Sequence, residues 1–149
     1  MALVVSTLAS ELTAAMSTPY PETQQEAAER FAAACATYFG ATTFPPPSPV
    51  IGAAEQAFIP AFLGGLNTTV PLRFTALELG LVAMVAVIAT GAALSPPDSA
   101  TPPVGQPIIS LSQIAPSAVA AAQAISVIVD VWARTGTYTK PPASPVPWA

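Results

Sequence analysis

Residues 75–94 read TALELGLVAMVAVIATGAAL, and this stretch decides the fold class. Thr75 and Glu78 stand three residues apart, which is the spacing of a capping box at the start of a helix. Between Leu79 and Leu94 no residue carries a charge. A helix that is apolar on every face is buried in a large core or spans a membrane. The stretch therefore predicts a long apolar helix.

Capping signals and apolar spacing predict further helices on both sides of this one. Thr23 and Glu26 form a second capping box, and Gly40 is of the residue type that follows a helix end. Pro116 fits the first position of a last helix. The predicted ranges are 3–16, 23–39 and 116–134, with a further apolar block at 50–63 that Pro60 must kink or end and that a turn at Gly64-Gly65 follows.

The expected architecture is all-α, with four or five helices in a small bundle built around the helices at 75–94 and 116–134. The chain has 18 prolines, and most of them fall between the apolar blocks. Residues 108–111 could pair as a short strand or dock as an apolar clip. We expect residues 1–138 to form a single helical domain, with proline-rich connectors at 44–49 and 95–107 and a proline-rich C-terminal arm at 139–149.

The residue inventory argues against catalysis. The chain has no histidine, one cysteine, four basic and eight acidic residues, and its charged fraction of 8% compares with about 25% in ordinary soluble domains. Sites of the Ser-His-Asp or Cys-His type need histidine, and no phosphate-binding glycine loop is present. We therefore predict a non-enzymatic protein with no cofactor and no metal. The scattered bases form no patch that could neutralise nucleic-acid phosphates.

Aromatic side chains and one charge pair near the C-terminus are the candidate interface residues. Aromatic side chains dominate the energetics of protein interfaces. Asp130 and Arg134 have the i, i+4 spacing of a helical ion pair, which either decorates the surface or holds a partner in register. Plain burial in the core is an equal alternative for Trp132. The five candidates are Trp132, Tyr138, Trp148, Asp130 and Arg134.

Two other classes of protein fit parts of the sequence. Residues 76–94 nearly reach the length needed to cross a bilayer, which predicts a small holin-like protein of the inner membrane with one span. Against this, the segment is rich in alanine, and after Arg73 no base occurs until Arg134. The second alternative is a soluble adaptor whose proline-rich segments serve as peptide ligands. For residues 76–94, a buried core helix is favoured over a membrane span.

The front of the chain carries a resemblance. Leu8, Leu12 and Met16 at spacing four, a break at Pro19 and Pro21, and then an alanine-rich helix from Glu26 to Tyr38 resemble small structural proteins of tailed bacteriophages. The resemblance implies a virion component of the tail, baseplate, neck or capsid. Its partners would be other copies of itself and other structural proteins, met in the virion or in the host cytoplasm during assembly.

Overall fold

A computed structural model describes residues 2–42, 48–67, 73–92, 98–110 and 117–149. Most of the described residues are helical, which confirms the helical class, and three short strands add a sheet that the sequence did not predict. The elements in chain order are α1 (Val5–Met16), α2 (Gln24–Phe39), α3 (Ser48–Leu66), α4 (Thr75–Ala92), β1 (Ser99–Thr101), α5 (Ala118–Ala133), β2 (Thr137–Thr139) and β3 (Val146–Pro147).

The capping signal at the start of α2 is confirmed with one difference. Thr23 Oγ1 accepts a hydrogen bond from the backbone N–H of Glu26 at 3.0 Å. The Glu26 carboxylate bonds to the backbone N–H of Glu22, at 3.0 Å, and not to that of Thr23. This bond, followed by the one from Arg30, holds the pKa of Glu26 below its ordinary value. At the other end, Gly40 caps the helix in a right-handed conformation with φ of −64°.

Helix α3 runs past the predicted breakers. It continues through Pro60, so of the kink or end predicted there the helix end does not occur. It also includes Gly64 and Gly65, so the turn predicted at these residues is wrong. Phe58 and Phe62 are buried on either side of Pro60, and this packing outweighs the cost of one missing N–H donor. Of the connector predicted at 44–49, residues 44–47 lie outside the described residues, and the last two belong to α3.

Helices α3 and α4 form the most extensive contact between two elements. A Cβ atom added at Gly65 would lie 2.6 Å from Ala76 Cα, and one added at Gly80 would lie 2.6 Å from the Phe58 ring. The two glycines therefore allow a close approach that any larger residue would obstruct. Along α4, Leu77, Leu81 and Ile88 are fully buried.

The packing order differs from the predicted one. Helix α5 packs on α1, α1 packs on α2, α2 packs on α3, and α3 packs on α4. The sequence placed α4 and α5 together at the centre, whereas α2 occupies the middle of this series. Helix α5 begins at Ala118, behind a Ser117 side chain that accepts the N–H of Ala120 at 3.2 Å. The helix therefore begins two residues after Pro116, which itself lies outside the described residues.

The start of α4 has no capping box. Thr75 is the first residue of the helix, and among the described residues its buried hydroxyl has no hydrogen-bond partner. The Glu78 carboxylate instead accepts hydrogen bonds from Arg73 and from the segment before Ser110. The capping box predicted at Thr75 is therefore wrong, because its acid is committed to a long-range contact.

The C-terminal residues fold back onto the body of the protein. Strand β2 pairs antiparallel with β1 on one side and with β3 on the other. The boundary predicted between residues 138 and 139 falls inside β2, and Trp148 is fully buried. The arm predicted at 139–149 is therefore wrong in this structure. Likewise, the connector predicted at 95–107 includes β1.

Residues 108–110 dock as the sequence suggested, although they form only one bridge. Ile109 is fully buried, and its carbonyl accepts the N–H of Phe74 at 2.9 Å. Ser110 pairs with Arg73 in an isolated antiparallel bridge. Leu111, the last residue of the predicted clip, lies outside the described residues.

One described helix has the length and composition needed to cross a membrane, and it is α3 (Ser48–Leu66). Only 22% of its apolar window is buried. The described part of the span predicted at 76–94 belongs to α4. Its apolar stretch, Thr75–Gly91, is shorter than the 18 residues that a candidate span needs.

Candidate interaction surface

Asp130 and Arg134 form the predicted ion pair, but the pair joins parts of this chain. Arg134 Nε donates to Asp130 Oδ2 at 2.9 Å, and Arg134 Nη2 donates to the Leu3 carbonyl at 3.1 Å. Asp130 is buried and also accepts a hydrogen bond from the hydroxyl of Tyr38. The network ties α5 to α2 and to the residues before α1. The Asp130 carboxylate therefore has its partners inside the protein.

The two aromatic residues of the C-terminal region also make internal contacts. Trp148 Nε1 donates to the Thr137 carbonyl at 3.1 Å, and its ring lies edge-on to Phe39 with centroids 6.1 Å apart. Tyr138 is half-buried, and its hydroxyl donates to Asp98 Oδ2 at 2.8 Å. That bond, followed by burial, raises the pKa of Tyr138. The structure therefore uses both rings to hold the small sheet in place.

Trp132 borders a surface groove. Its side chain is only 7% exposed, and Nε1 donates to the Val104 carbonyl at 3.1 Å. The ring nevertheless lines an apolar groove beside the outer face of α5. Trp132 thus contributes to both the core and the wall of the groove.

Glu78 is a buried acid with several hydrogen-bond donors, and the sequence did not reveal this environment. It is fully buried and accepts from Arg73 Nε at 3.2 Å, from Gln106 Nε2 at 2.7 Å and from the Ile109 N–H at 2.9 Å. Burial raises the pKa of Glu78, but these three donors outweigh burial and leave its pKa below the ordinary value. The carboxylate is therefore ionised at neutral pH. Its hydrogen bonds hold the 106–109 segment against the start of α4.

The outer face of α5 is a ridge of aliphatic side chains. Val119, Val127 and Val131 are 53%, 54% and 65% exposed, and the side chain between the first two, Gln123, is uncharged. These four residues recur every four positions, so they lie in one row along the helix. Ile108, 64% exposed, extends the apolar surface beyond α5. We call these five residues the α5 ridge.

Two shallow grooves flank the α5 ridge and share Val127. The first, of about 620 Å³, lies between α1 and α5. Its α1 wall consists of small or short side chains: Val5, Ser6, Ala9, Ser10 and Thr13. The second, of about 440 Å³, lies between α5 and the 106–108 segment and includes Trp132 and Thr135. Neither groove has a charged residue in its described lining.

The described linings of the two grooves consist of apolar, hydroxyl, amide and indole side chains. Among the residues that the structure describes, no group of three or more histidine, cysteine, aspartate or glutamate side chains is placed to hold a metal ion. Cys35 is buried, and burial raises the pKa of its thiol to about 12. A thiol with that pKa is protonated at neutral pH and is a poor nucleophile.

The sequence contained a signal for the α5 ridge that the aromatic argument did not use. The spacing 119, 123, 127, 131 shows an uncharged row, while Ile125, Val129 and Trp132 form a second apolar row. A helix with two apolar rows buries one and exposes the other when it packs on a single neighbour. Periodicity alone cannot say which row is buried.

Comparison with known proteins gave no match to a protein-family model, a curated protein or a solved structure.

Proposed function

We propose that this protein is a non-enzymatic structural subunit of a larger protein assembly, and that the assembly is the particle of a tailed bacteriophage. The α5 ridge carries the first part of the proposal. Val119, Val127, Val131 and Ile108 are each more than half exposed, and contact with a neighbouring subunit would remove this apolar surface from water, where its exposure is costly. In this proposal the five helices act as one small bundle that presents the ridge to neighbouring subunits.

The composition supports the same proposal. With a charged fraction of 8%, the chain has few groups to keep a free surface solvated. A subunit whose surface is covered by its neighbours does not need such charged groups. The phage particle, as the kind of assembly, rests on the resemblance of residues 8–38 to small virion proteins. The virion is accordingly the proposed location of the protein.

The proposal is tested by the mass of the purified full-length chain in detergent-free buffer. Sedimentation velocity and light scattering at about 1 to 100 µM chain cover the range of weak to moderate interfaces. We expect a defined oligomer whose mass is a multiple of 15.1 kDa. A soluble monomer that joins no larger complex with partner proteins would overturn the proposal.

A chain that stays in solution only with detergent would overturn it in favour of a membrane protein. In that case α3 and the segment 76–94 are the helices to examine, and protection of each in lipid vesicles by hydrogen exchange distinguishes them. The first has the necessary length and composition in the structure. The second was the span predicted from the sequence.

A further inference from the structure

We infer that the α5 ridge binds the same ridge of a second copy of this chain, with the two α5 helices antiparallel. This inference rests on the proposed function and names the partner of its interaction surface. The shape of the surface is the first argument. Rows of side chains on one helix pack into the grooves between rows of a facing helix.

The surface provides both the row and the groove. Val119, Val127 and Val131 project, while Ser6, Ala9 and Ser10 of α1 leave room beside them. A two-fold symmetric contact requires a surface to be complementary to itself. A projecting row next to a groove lined by small side chains meets this requirement, because the row of each copy enters the groove of the other.

Electrostatics selects a second copy over a charged partner. The chain has a net charge of −4, so most of its surface opposes self-association. The described linings of both grooves are free of charged side chains. Two copies meeting through this face therefore bring no like charges into direct contact. A basic or acidic partner would find no complementary group here.

The size of the surface also suits a dimer. From Val119 to Val131 the ridge spans twelve helical steps, or about 18 Å. With a groove on each side it is roughly 20 Å wide, which gives a projected area on the order of 400 Å². A standard interface covers about 800 Å² per partner and has an apolar centre inside a polar rim. The ridge and grooves would supply about half of that area, as the apolar centre of the contact.

The antiparallel direction follows from the charges at the ends of α5. A helix carries about half a positive charge at its N-terminus and half a negative charge at its C-terminus, so antiparallel helices place unlike ends together. In the antiparallel pair, Val119 of one copy lies at the level of Val131 of the other, and Gln123 lies at the level of Val127.

The first experiment uses the full chain with Val127→Asp, and Val146→Asp is the matched control. Val146 is 49% exposed, lies on β3 and is not part of the described lining of either groove. Because the two-fold places each substituted residue in the interface twice, we expect V127D to raise the dimer dissociation constant at least about 100-fold. V146D should leave it within about twofold. Circular dichroism and the thermal midpoint establish that both variants fold.

The second experiment tests the direction of packing. Val119→Lys and Val131→Asp each place a charge against a partner valine, so each variant should dimerise more weakly than the wild type. In an equimolar mixture the lysine of one chain faces the aspartate of the other, and we expect a heterodimer that is at least about tenfold tighter than either homodimer. A mixture that associates no better than its components would overturn the antiparallel pair.

The outcomes separate this inference from the proposed function. An oligomer that persists in V127D overturns the ridge-to-ridge contact while the structural-subunit proposal stands. A wild-type chain that is monomeric overturns the ridge-to-ridge contact, and a chain that is soluble only with detergent overturns both. An oligomer lost in V127D and kept in V146D supports both.

Discussion

The Tyr38 hydroxyl donates a hydrogen bond to the Asp130 carboxylate across 92 positions of the chain. The same carboxylate accepts from Arg134, which also holds the Leu3 carbonyl. Burial, followed by the bond to Asp130, raises the pKa of Tyr38 far above its ordinary value, so the phenol stays a neutral donor. One buried acid thus connects α2, α5 and the residues before α1. This network holds α5, and with it the ridge, in a fixed orientation.

Removing the Tyr38 hydroxyl should destabilise the protein. Tyr38→Phe keeps the ring and deprives the buried Asp130 of one donor, so we expect a loss of about 1–3 kcal/mol in the free energy of unfolding. Urea denaturation followed by circular dichroism measures it. Tyr20→Phe is the control, since Tyr20 is 66% exposed and the change there should be below about 0.5 kcal/mol. Equal midpoints for Y38F and wild type would show that the bond contributes nothing.

Glu78→Gln should lower stability at neutral pH. It removes the charge that Arg73, Gln106 and the Ile109 N–H all bind. Because the Arg73 side chain is 31% exposed and partly screened by water, the expected loss is about 2 kcal/mol, below that of fully buried pairs. Urea denaturation measures this loss, and Glu29→Gln, at an exposed position of α2, should be close to neutral.

The difference between wild type and E78Q should depend on pH. The pKa of Glu78 in the folded protein lies below its unfolded value near 4.5. A lowered folded-state pKa means that the unfolded chain binds the proton first as pH falls. The stabilisation is therefore fully present well above pH 4.5 and disappears as pH falls through the folded-state value. A difference that stayed constant from pH 7 down to pH 3, or that grew, would contradict the ion pair as its source.

Trp148→Ala should destabilise the whole domain and not merely release a tail. The indole is fully buried against Gly136 and Phe39, and truncating such a side chain costs about 3–5 kcal/mol. Val146→Ala, at a half-exposed neighbour, should cost less than about 1 kcal/mol. Thermal unfolding compares the two variants. If W148A melted with wild-type stability, residues 139–149 would behave as the free arm that the sequence predicted.

Local signals predicted the helices better than the contacts between them. Thr23 begins α2 as expected because its cap depends only on the next three residues. Glu78 has the same spacing from Thr75, yet its carboxylate binds groups up to 31 residues away. A short motif does not show which of two partners an acid will take. The capping box predicted at Thr75 and Glu78 therefore failed although its residues matched.

The ability of proline and glycine to end a helix was overestimated for a related reason. Pro60 and Gly65 have low intrinsic helix propensity, but both lie in α3 because Phe58, Phe62 and the α4 backbone pack along that helix. Trp148 was assigned to an arm since the proline-rich residues around it have no periodicity. Its burial depends on Gly136, twelve residues earlier, which leaves space for the ring. Such pairings are tertiary and leave no local pattern.

The two adjacent glycines near the end of α3 offer a test of the α3–α4 contact. A Cβ at Gly65 would lie 2.6 Å from Ala76 Cα, and because backbone cannot move aside as a side chain can, we expect Gly65→Ala to cost about 1–3 kcal/mol or more. At Gly64 nothing lies within 4 Å of an added Cβ. Gly64→Ala should therefore raise stability by up to about 1 kcal/mol, since alanine favours helix.

Urea denaturation of the two single variants gives the measurement, and each serves as the control of the other. Opposite signs at neighbouring positions with the same substitution can arise only from what each position faces. If G65A were as stable as G64A, α3 and α4 would not approach as closely as Gly65 and Ala76 do here. The α3–α4 contact would then have to be looser along its whole length, because the approach at Gly80 and Phe58 belongs to the same pair of helices.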